Sequence, residues 1–282
     1  MSQSFRALLK FGGEVVADAP RLQTVLSEVR RLVESGWSFA LCHGGGPQAN
    51  RLQARLGMES VKVGGRRVTD ALTLQVMKQV LGGEVNVDVC AAATAAGLRP
   101  VGISGASAGL VQARRRPPMV VPGGGEEPVD FGLVGKVEKI DPAIIELLWS
   151  GGFTPVINTL GCELDGEDEL GRAPIYNINA DTVASAVAAA LRADHLFLMT
   201  SVPGVLKDKD DPSTRIPRLT VSEARGAIAD GVIVGGMIPK VEEALLLLES
   251  GIGAVHILAA EPGAIEAEAA EPGSRGTVLL PG

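Results

Sequence analysis

Short apolar runs alternate along the chain with stretches in which Leu and Val recur every three to four residues, the pattern of successive βαβ units. Residues 7–11 read as a strand ending in Gly12 and Gly13. Residues 21–34 read as a helix carrying Leu22, Val25, Leu26, Val29 and Val33 on one face. Residues 38–42 form the next predicted strand, closing on His43-Gly44-Gly45-Gly46. Helical spacing follows over 48–56 and again over 70–96, where Gly82-Gly83 predicts a break. The middle of the chain differs: residues 101–121 and 128–140 hold short apolar pieces among many Gly and Pro, and predict hairpins projecting from the sheet edge. A short helix at 144–148, a strand at 154–158 and an acidic, glycine-rich loop or hairpin at 161–172 come next. Alternation then resumes, with helices over 180–191, 221–230 and 240–250 and strands over 195–200, 254–258 and 277–280. The Ala/Glu-rich run 261–271 reads as a short helix or loop. A division near residue 175 into two lobes sharing one sheet is expected.

Composition narrows the class. In 282 residues the hydrophobic fraction is 46% but the aromatic fraction only 3%, so the core must be built from Ala, Val, Leu and Ile. That suits helices packed on both faces of a parallel sheet. A net charge of −7 argues against a nucleic-acid partner, which would need a basic surface. Two local basic clusters stand out, Lys62 with Arg66 and Arg67, and Arg114-Arg115-Arg116, the second read as a solvated hairpin end. Cys42, Cys90 and Cys162 are widely spaced and lack a C-x-x-C pair, which predicts free thiols and fits a reducing cytoplasm. Arg6 and Lys10 bracket only three apolar residues, unlike a signal peptide. No stretch approaches the roughly 18 apolar residues of a membrane span, and no membrane partner is expected.

The candidate chemistry lies in glycine turns. A strand ending in glycine lets backbone N–H groups approach an anion, and a following helix N-terminus favours negative charge. Lys10-Phe11-Gly12-Gly13 and Gly44-Gly45-Gly46 are two such turns; Gly235-Gly236-Met237, just before Lys240, is a third. There is no P-loop sequence. Gly44 to Ala49 matches G-x-G-x-x-A, but neither Glu59 nor Asp70 clearly ends a strand as a ribose-binding acid should. Lys10 falls at a strand's carboxyl end, where α/β sheets place ligands, although a snorkelling edge lysine has the same position in sequence. Lys240 opens a helix, against the helix dipole, a placement that a bound anion would explain. Asn179 and Asp181 read either as a helix cap and first-turn acid or as a ligand amide and a carboxylate that holds lysines. His43 reads as structural, His195 and His256 fall in buried strands, and no metal-ligand spacing appears.

Six ordered blocks carry a resemblance to a known family: Lys10 to Gly13, His43 to Pro47, Gly65 to Thr69, Asn177 to Asp181, Thr200 to Leu206 and Gly235 to Lys240. In order and spacing the chain resembles the amino-acid kinase (carbamate kinase-like) family, and within it the branch that phosphorylates the γ-carboxylate of N-acetyl-L-glutamate in arginine biosynthesis. The resemblance implies an α/β fold, a three-layer αβα sandwich around a mostly parallel central sheet. Residues 1–175 would form an N-terminal lobe for the acyl amino acid and for dimerisation, and 176–282 a C-terminal lobe for ATP, which arrives with Mg²⁺. Lys10 and Lys240 would stabilise the transferring phosphoryl group and Asp181 would orient both. Gly45, Gly46, Arg67, Asn177 and Asn179 would bind the substrate. Gly12, Gly13, Thr200, Ser201, Gly204, Val205, Gly235, Gly236 and Met237 would bind the nucleotide.

Two blocks depart from the family pattern: Ser201 stands where an Asp is usual, and Ser104 to Ser107 replaces a Ser-Gly-Lys-Asp-type stretch. The long N-terminal helix of arginine-inhibited hexameric members is missing before Lys10, which implies a homodimer without arginine feedback. Three alternatives remain on sequence grounds: a sibling kinase acting on carrier-bound aminoadipate or glutamate, a non-catalytic effector-binding module of the same fold, and a dinucleotide-dependent oxidoreductase.

Overall fold

A computed structural model of the chain describes residues 5–121, 124–208, 210–234 and 237–282. In order the elements are β1 (Arg6–Phe11), α1 (Gly13–Ala17), α2 (Ala19–Glu34), β2 (Ser38–His43), α3 (Gly46–Arg55), β3 (Lys62–Val63), β4 (Arg66–Arg67), α4 (Ala71–Met77) and α5 (Asn86–Ala95). Then come β5 (Pro100–Ser104), β6 (Val111–Arg115), β7 (Gly135–Ile140), α6 (Ala143–Ser150), β8 (Thr154–Asn158), β9 (Leu160–Cys162) and β10 (Ile175–Asn177). The last third holds α7 (Ala180–Leu191), β11 (His195–Thr200), β12 (Arg218–Thr220), α8 (Val221–Ala229), α9 (Met237–Glu249), β13 (Ala254–Ala259), α10 (Ala264–Ala270) and β14 (Thr277–Leu280).

Eight strands form one central sheet in the order β12-β14-β13-β11-β1-β2-β8-β5. All neighbours run parallel except β13 and β14. Side chains alternate across it. Ala7, Leu9 and Phe11 of β1 join the core under α2, α5 and α10, while Leu8 joins the opposite core with Val183, Val187 and Val241 of α7 and α9. Both faces are covered, which is why the strands read as continuous apolar runs and not as alternating ones. The expected three-layer α/β sandwich is what the chain adopts.

Three sequence expectations change. Glycines 82 and 83 do not break the helix; residues Lys78–Val85 form a π-helical stretch joining α4 to α5. Wider i→i+5 bonding keeps the backbone paired through the glycines, so the chain loosens its turn without stopping. Of the segment read as edge hairpins, β5 instead pairs with β8 as the parallel edge strand of the main sheet, because Val101 and Ile103 have strand neighbours and not only a turn to serve. The antiparallel β6–β7 and β9–β10 pairs do project, as a separate sheet of four strands ordered β10-β9-β6-β7. Lys240 is the fourth residue of α9 and not its first.

Candidate active site

The carboxyl ends of β1 and β2 open onto a cleft of about 330 Å³, within the usual range for small-ligand sites. Its floor is glycine. Gly13 begins α1 directly after β1, and a Cβ there would lie 2.4 Å from Gln48 Oε1 and 2.8 Å from Pro47 Cδ, so only glycine lets the two turns meet. Helix α3 starts at Gly46 with Gly45 at its N-cap, and α7 starts at Ala180; both N-termini face the cleft. Their first-turn N–H groups and dipoles favour an anion between them.

Lys10 is only 8% exposed. It stands on the α7 face of β1, where its Nζ is 2.8 Å from Asp181 Oδ1. Lys240 Nζ comes from α9 to 3.6 Å from Asp181 Oδ2. One carboxylate thus gathers two ammonium groups separated by 230 positions in sequence. Burial pushes the Asp181 carboxyl up, but the nearby charges of Lys10 and Lys240 outweigh it and hold the group below the usual carboxylate range. Asn179 caps α7 by accepting a hydrogen bond from Asp181 N at 3.2 Å. The cap and the lysine-holding carboxylate are therefore both present. Replacing Asn179 with Ala should lower unfolding free energy by about 1 kcal/mol in urea titrations; an unchanged midpoint would mean the amide adds nothing as a cap.

The cleft wall opposite combines both sheets. Asn177 ends β10, lines the cleft and donates from Nδ2 to Thr69 Oγ1 at 3.2 Å. Arg67 lines it too, with Nη1 donating to Ser60 Oγ at 2.6 Å and to Gln53 Oε1, and Nη2 to Asn50 Oδ1 at 2.5 Å and Gly46 O at 3.4 Å. Burial lowers its otherwise very high pKa without threatening its charge.

Of the sequence candidates, Lys10, Gly12, Gly13, Gly45, Gly46, Arg67, Asn177 and Asn179 line this cleft, and Lys240 and Asp181 are joined to it through Lys10. Thr200, Ser201, Gly204, Val205 and Met237 do not line it. Thr200 Oγ1 donates to Val202 O at 2.7 Å, closing a local turn. Gly204 has φ of 153° and packs where a Cβ would lie 2.5 Å from Thr277 Oγ1, and Val205 N donates to that hydroxyl at 2.8 Å. Gly235 and Gly236 lie outside the described residues. The departing stretch 104–107 also turns away: Ser104 N donates to Ser107 Oγ at 3.1 Å and Ser104 Oγ to Asn158 Oδ1 at 3.0 Å.

Sequence reasoning missed Glu14, Lys62, Arg66, Arg116 and Thr159 as cleft residues. Arg116 corrects the reading of the arginine run as a solvated hairpin end. Arg114 and Arg115 do pair with acids, but Arg116, the residue after β6, lines the cleft. Lys62, Arg66 and Arg116 were legible only as basic clusters; nothing local in the chain shows that the two clusters meet.

His43 is fully buried. Its Nδ1–H donates to Gly44 O at 3.2 Å and its Nε2 accepts from Asn86 Nδ2 at 2.9 Å, and burial drops its pKa to about 4. It is a neutral structural imidazole, as its sequence context implied.

A glycine-floored cleft flanked by two helix N-termini, with two lysines on one carboxylate, is an arrangement suited to phosphoryl transfer. The chain belongs to the amino acid kinase family, whose model matches residues 6–259. Among its relatives, the acetylglutamate kinase of Sorangium cellulosum is 51% identical over 275 residues, 97% of this chain and 94% of that one. The acetylglutamate kinase of Anaeromyxobacter dehalogenans is 52% identical over 274 residues, 96% of this chain and 98% of that one. Among solved structures, N-acetylglutamate synthase from Neisseria gonorrhoeae, complexed with coenzyme A and N-acetyl-glutamate, superposes with a TM-score of 0.78 at 22% identity. That match covers 99% of this chain but 60% of the longer synthase and speaks for the fold alone.

Proposed function

We infer that this chain is an ATP-dependent kinase that phosphorylates the γ-carboxylate of N-acetyl-L-glutamate to N-acetyl-L-glutamyl 5-phosphate, a step of arginine biosynthesis. The observation that carries the reading is the Lys10–Asp181–Lys240 constellation beside the glycine floor, in a chain about 50% identical to acetylglutamate kinases over nearly its whole length. The chemistry needs no general base. A glutamyl carboxyl with an ordinary pKa near 4.3 is already an anion at neutral pH. One carboxylate oxygen forms a bond to the γ-phosphorus of MgATP, the bond to the β,γ-bridging oxygen breaks, and ADP leaves with the electron pair. The difficulty is bringing two anions together, and fixed cations and N–H donors are what lower that barrier. Mg²⁺ enters with the nucleotide as part of the substrate and adds charge neutralisation at the phosphates.

In this reading Lys10 and Lys240 bear on the transferring group, and Asp181 holds their ammonium groups in place. Gly12, Gly13, Gly45 and Gly46 offer N–H donors, and Arg67, Asn177 and Asn179 frame the acceptor. Residues 1–175 serve the acyl amino acid and 176–282 the nucleotide, with Thr200, Ser201, Gly204, Val205, Gly235, Gly236 and Met237 as its further binding residues. Three cysteines with free thiols, two of them buried, support a cytoplasmic setting, and among the described residues no helix is long and apolar enough to cross a membrane. A homodimer built on the N-terminal half belongs to the same reading.

The test is ATP turnover with Mg²⁺ and N-acetyl-L-glutamate, trapping the acyl phosphate with hydroxylamine. Hydroxamate from N-acetyl-L-glutamate, and none from a carrier-bound aminoadipate, is the expected result. The reverse pattern would move the protein to the sibling kinases, and ATP binding without hydroxamate from any acceptor would make it a non-catalytic binder.

A further inference from the structure

One acidic side chain stands in a cleft built for anions. Glu14, in the first turn of α1, lines the cleft together with five cations, Lys10, Lys62, Arg66, Arg67 and Arg116. Among the described residues no other acid lines it. Glu14 pairs with none of the five. Lys10 goes to Asp181, and Arg67 spends its terminal nitrogens on Gln53, Ser60, Asn50 and Gly46. Among the described residues Glu14 has neither a hydrogen bond nor an ion pair.

The carboxylate lies on the glycine floor itself. It folds back over Gly12, where a Cβ would collide with both of its oxygens. Gly12 has φ −83° and ψ 171°, extended backbone that any residue adopts, so its conformation does not call for glycine. The missing side chain leaves room on the floor, and the Glu14 carboxylate occupies it. A first-turn acid gains from a helix dipole, but α1 has only five residues and offers little of one. Glu14 is exposed, so its side chain is free to swing toward a ligand in the cleft.

A fixed anion at this place is unfavourable unless a cation meets it, because both substrates of the proposed reaction are themselves anions. The cation that arrives with them is the Mg²⁺ carried by ATP. In kinase sites Mg²⁺ keeps several waters and is held by substrate phosphates with one or two carboxylates, so a single unpaired acid fits it and no cluster of ligands is needed. We propose that Glu14 is the protein's own carboxylate for the Mg²⁺ that enters with ATP, facing the ion directly or through one of its waters. The inference rests on the ATP reading given above. Glu14 then makes the cleft prefer the metal-bound nucleotide: it repels bare ATP and attracts the magnesium complex.

The experiment is calorimetric titration of ATP, without acceptor, into the unmodified protein, E14Q and E14D, each with Mg²⁺ and with EDTA. No ATP binding by the unmodified protein in either condition overturns the ATP reading, and this proposal falls with it. Given binding, Mg²⁺ should tighten ATP in the unmodified protein, and E14Q should shrink that advantage at least about tenfold. The change comes from both sides: MgATP binds E14Q more weakly, and metal-free ATP binds it more tightly because a repelling charge is gone. E14D keeps the charge on a stem one methylene shorter and should fall between. In the hydroxamate assay E14Q should need at least about tenfold more Mg²⁺ for its half-maximal rate, with the acceptor KM unmoved. Glu14 is exposed and unpaired, so the thermal midpoint of E14Q should match that of the unmodified protein. No Mg²⁺ advantage in the unmodified protein, an advantage that survives intact in E14Q, or a penalty that falls on the acceptor KM in its place would each overturn the assignment.

Discussion

Replacing Lys10 with alanine is expected to cut hydroxamate formation at least about a hundredfold, equivalent to roughly 2.7 kcal/mol of lost transition-state stabilisation. The size follows from where the ammonium sits. It is 8% exposed and leaves water for the edge of a cleft whose floor is N–H groups, so its charge is screened far less than a surface lysine's. Asp181, 2.8 Å away, fixes the ammonium before substrate arrives, so no reorganisation is needed when charge shifts onto the transferring oxygens. The loss should fall on kcat more than on either KM, because an interaction that strengthens only in the transition state shows there. Lys240 leaves Asp181 with one cation, so the variant should keep its fold, and its thermal unfolding serves as the control. A fall of less than about threefold in kcat, in a folded variant, would remove Lys10 from the chemistry.

The parts of this site that the sequence made visible are those declared by local grammar. Lys10 shows because a strand, a lysine and two glycines follow one another, and strand carboxyl ends are where such sheets bind ligands. Asp181 shows because Asn179 marks a helix start within two residues. That one carboxylate gathers both lysines is a tertiary fact, fixed by α7 packing on β1 and α9 on α7; the local pattern offered it only as one of two readings, and the resemblance implied it.

The other cleft wall was unreadable for a physical reason. Arg66 and Arg116 are brought together by the β3–β4 ribbon and the four-stranded sheet, whose strands are short and whose β6–β7 register shifts between Gln112 and Ala113. A register set by a bulge leaves no period in the chain to detect. The π-helical turn was likewise hidden, since Gly82-Gly83 in an otherwise 3.6-periodic stretch looks the same whether the helix stops or widens. The Thr200 to Val205 block was legible as a motif but not as a place: its groups bond to one another and to Thr277, and no sequence rule says which side of the sheet end they take.

The fold has a second buried polar network far from any glycine turn, and the largest stability effect is expected there. Glu268 of α10 is fully buried and accepts hydrogen bonds from Gly273 N at 2.7 Å, Arg275 N at 3.0 Å and Gly276 N at 2.9 Å. His256 Nδ1–H donates to it at 3.0 Å, and His195 Nδ1–H in turn donates to His256 Nε2 at 3.0 Å. Burial pushes the Glu268 carboxyl up, but His256 and the three N–H groups more than reverse this and bring it to about 2. Burial also keeps His256 neutral and lowers His195 to about 4. Glu268→Ala would strand three N–H donors and an imidazole without water to replace the carboxylate. The expected cost is about 3–5 kcal/mol in urea or guanidinium unfolding at pH 7.

Acid should act on the same network in two stages. His195, with its folded pKa below the unfolded value of about 6.5, contributes stability that is complete above pH 6.5 and lost as pH falls toward 4. Glu268 contributes stability that is complete above about pH 4.5 and lost as pH falls toward 2. Glu268→Gln keeps the shape but not the charge, and should remove the second stage while leaving the first. A Glu268→Ala cost under about 1 kcal/mol, or an unfolding free energy that stays level in the unmodified protein from pH 7 to pH 3, would show that the carboxylate does not hold this end of the sheet together.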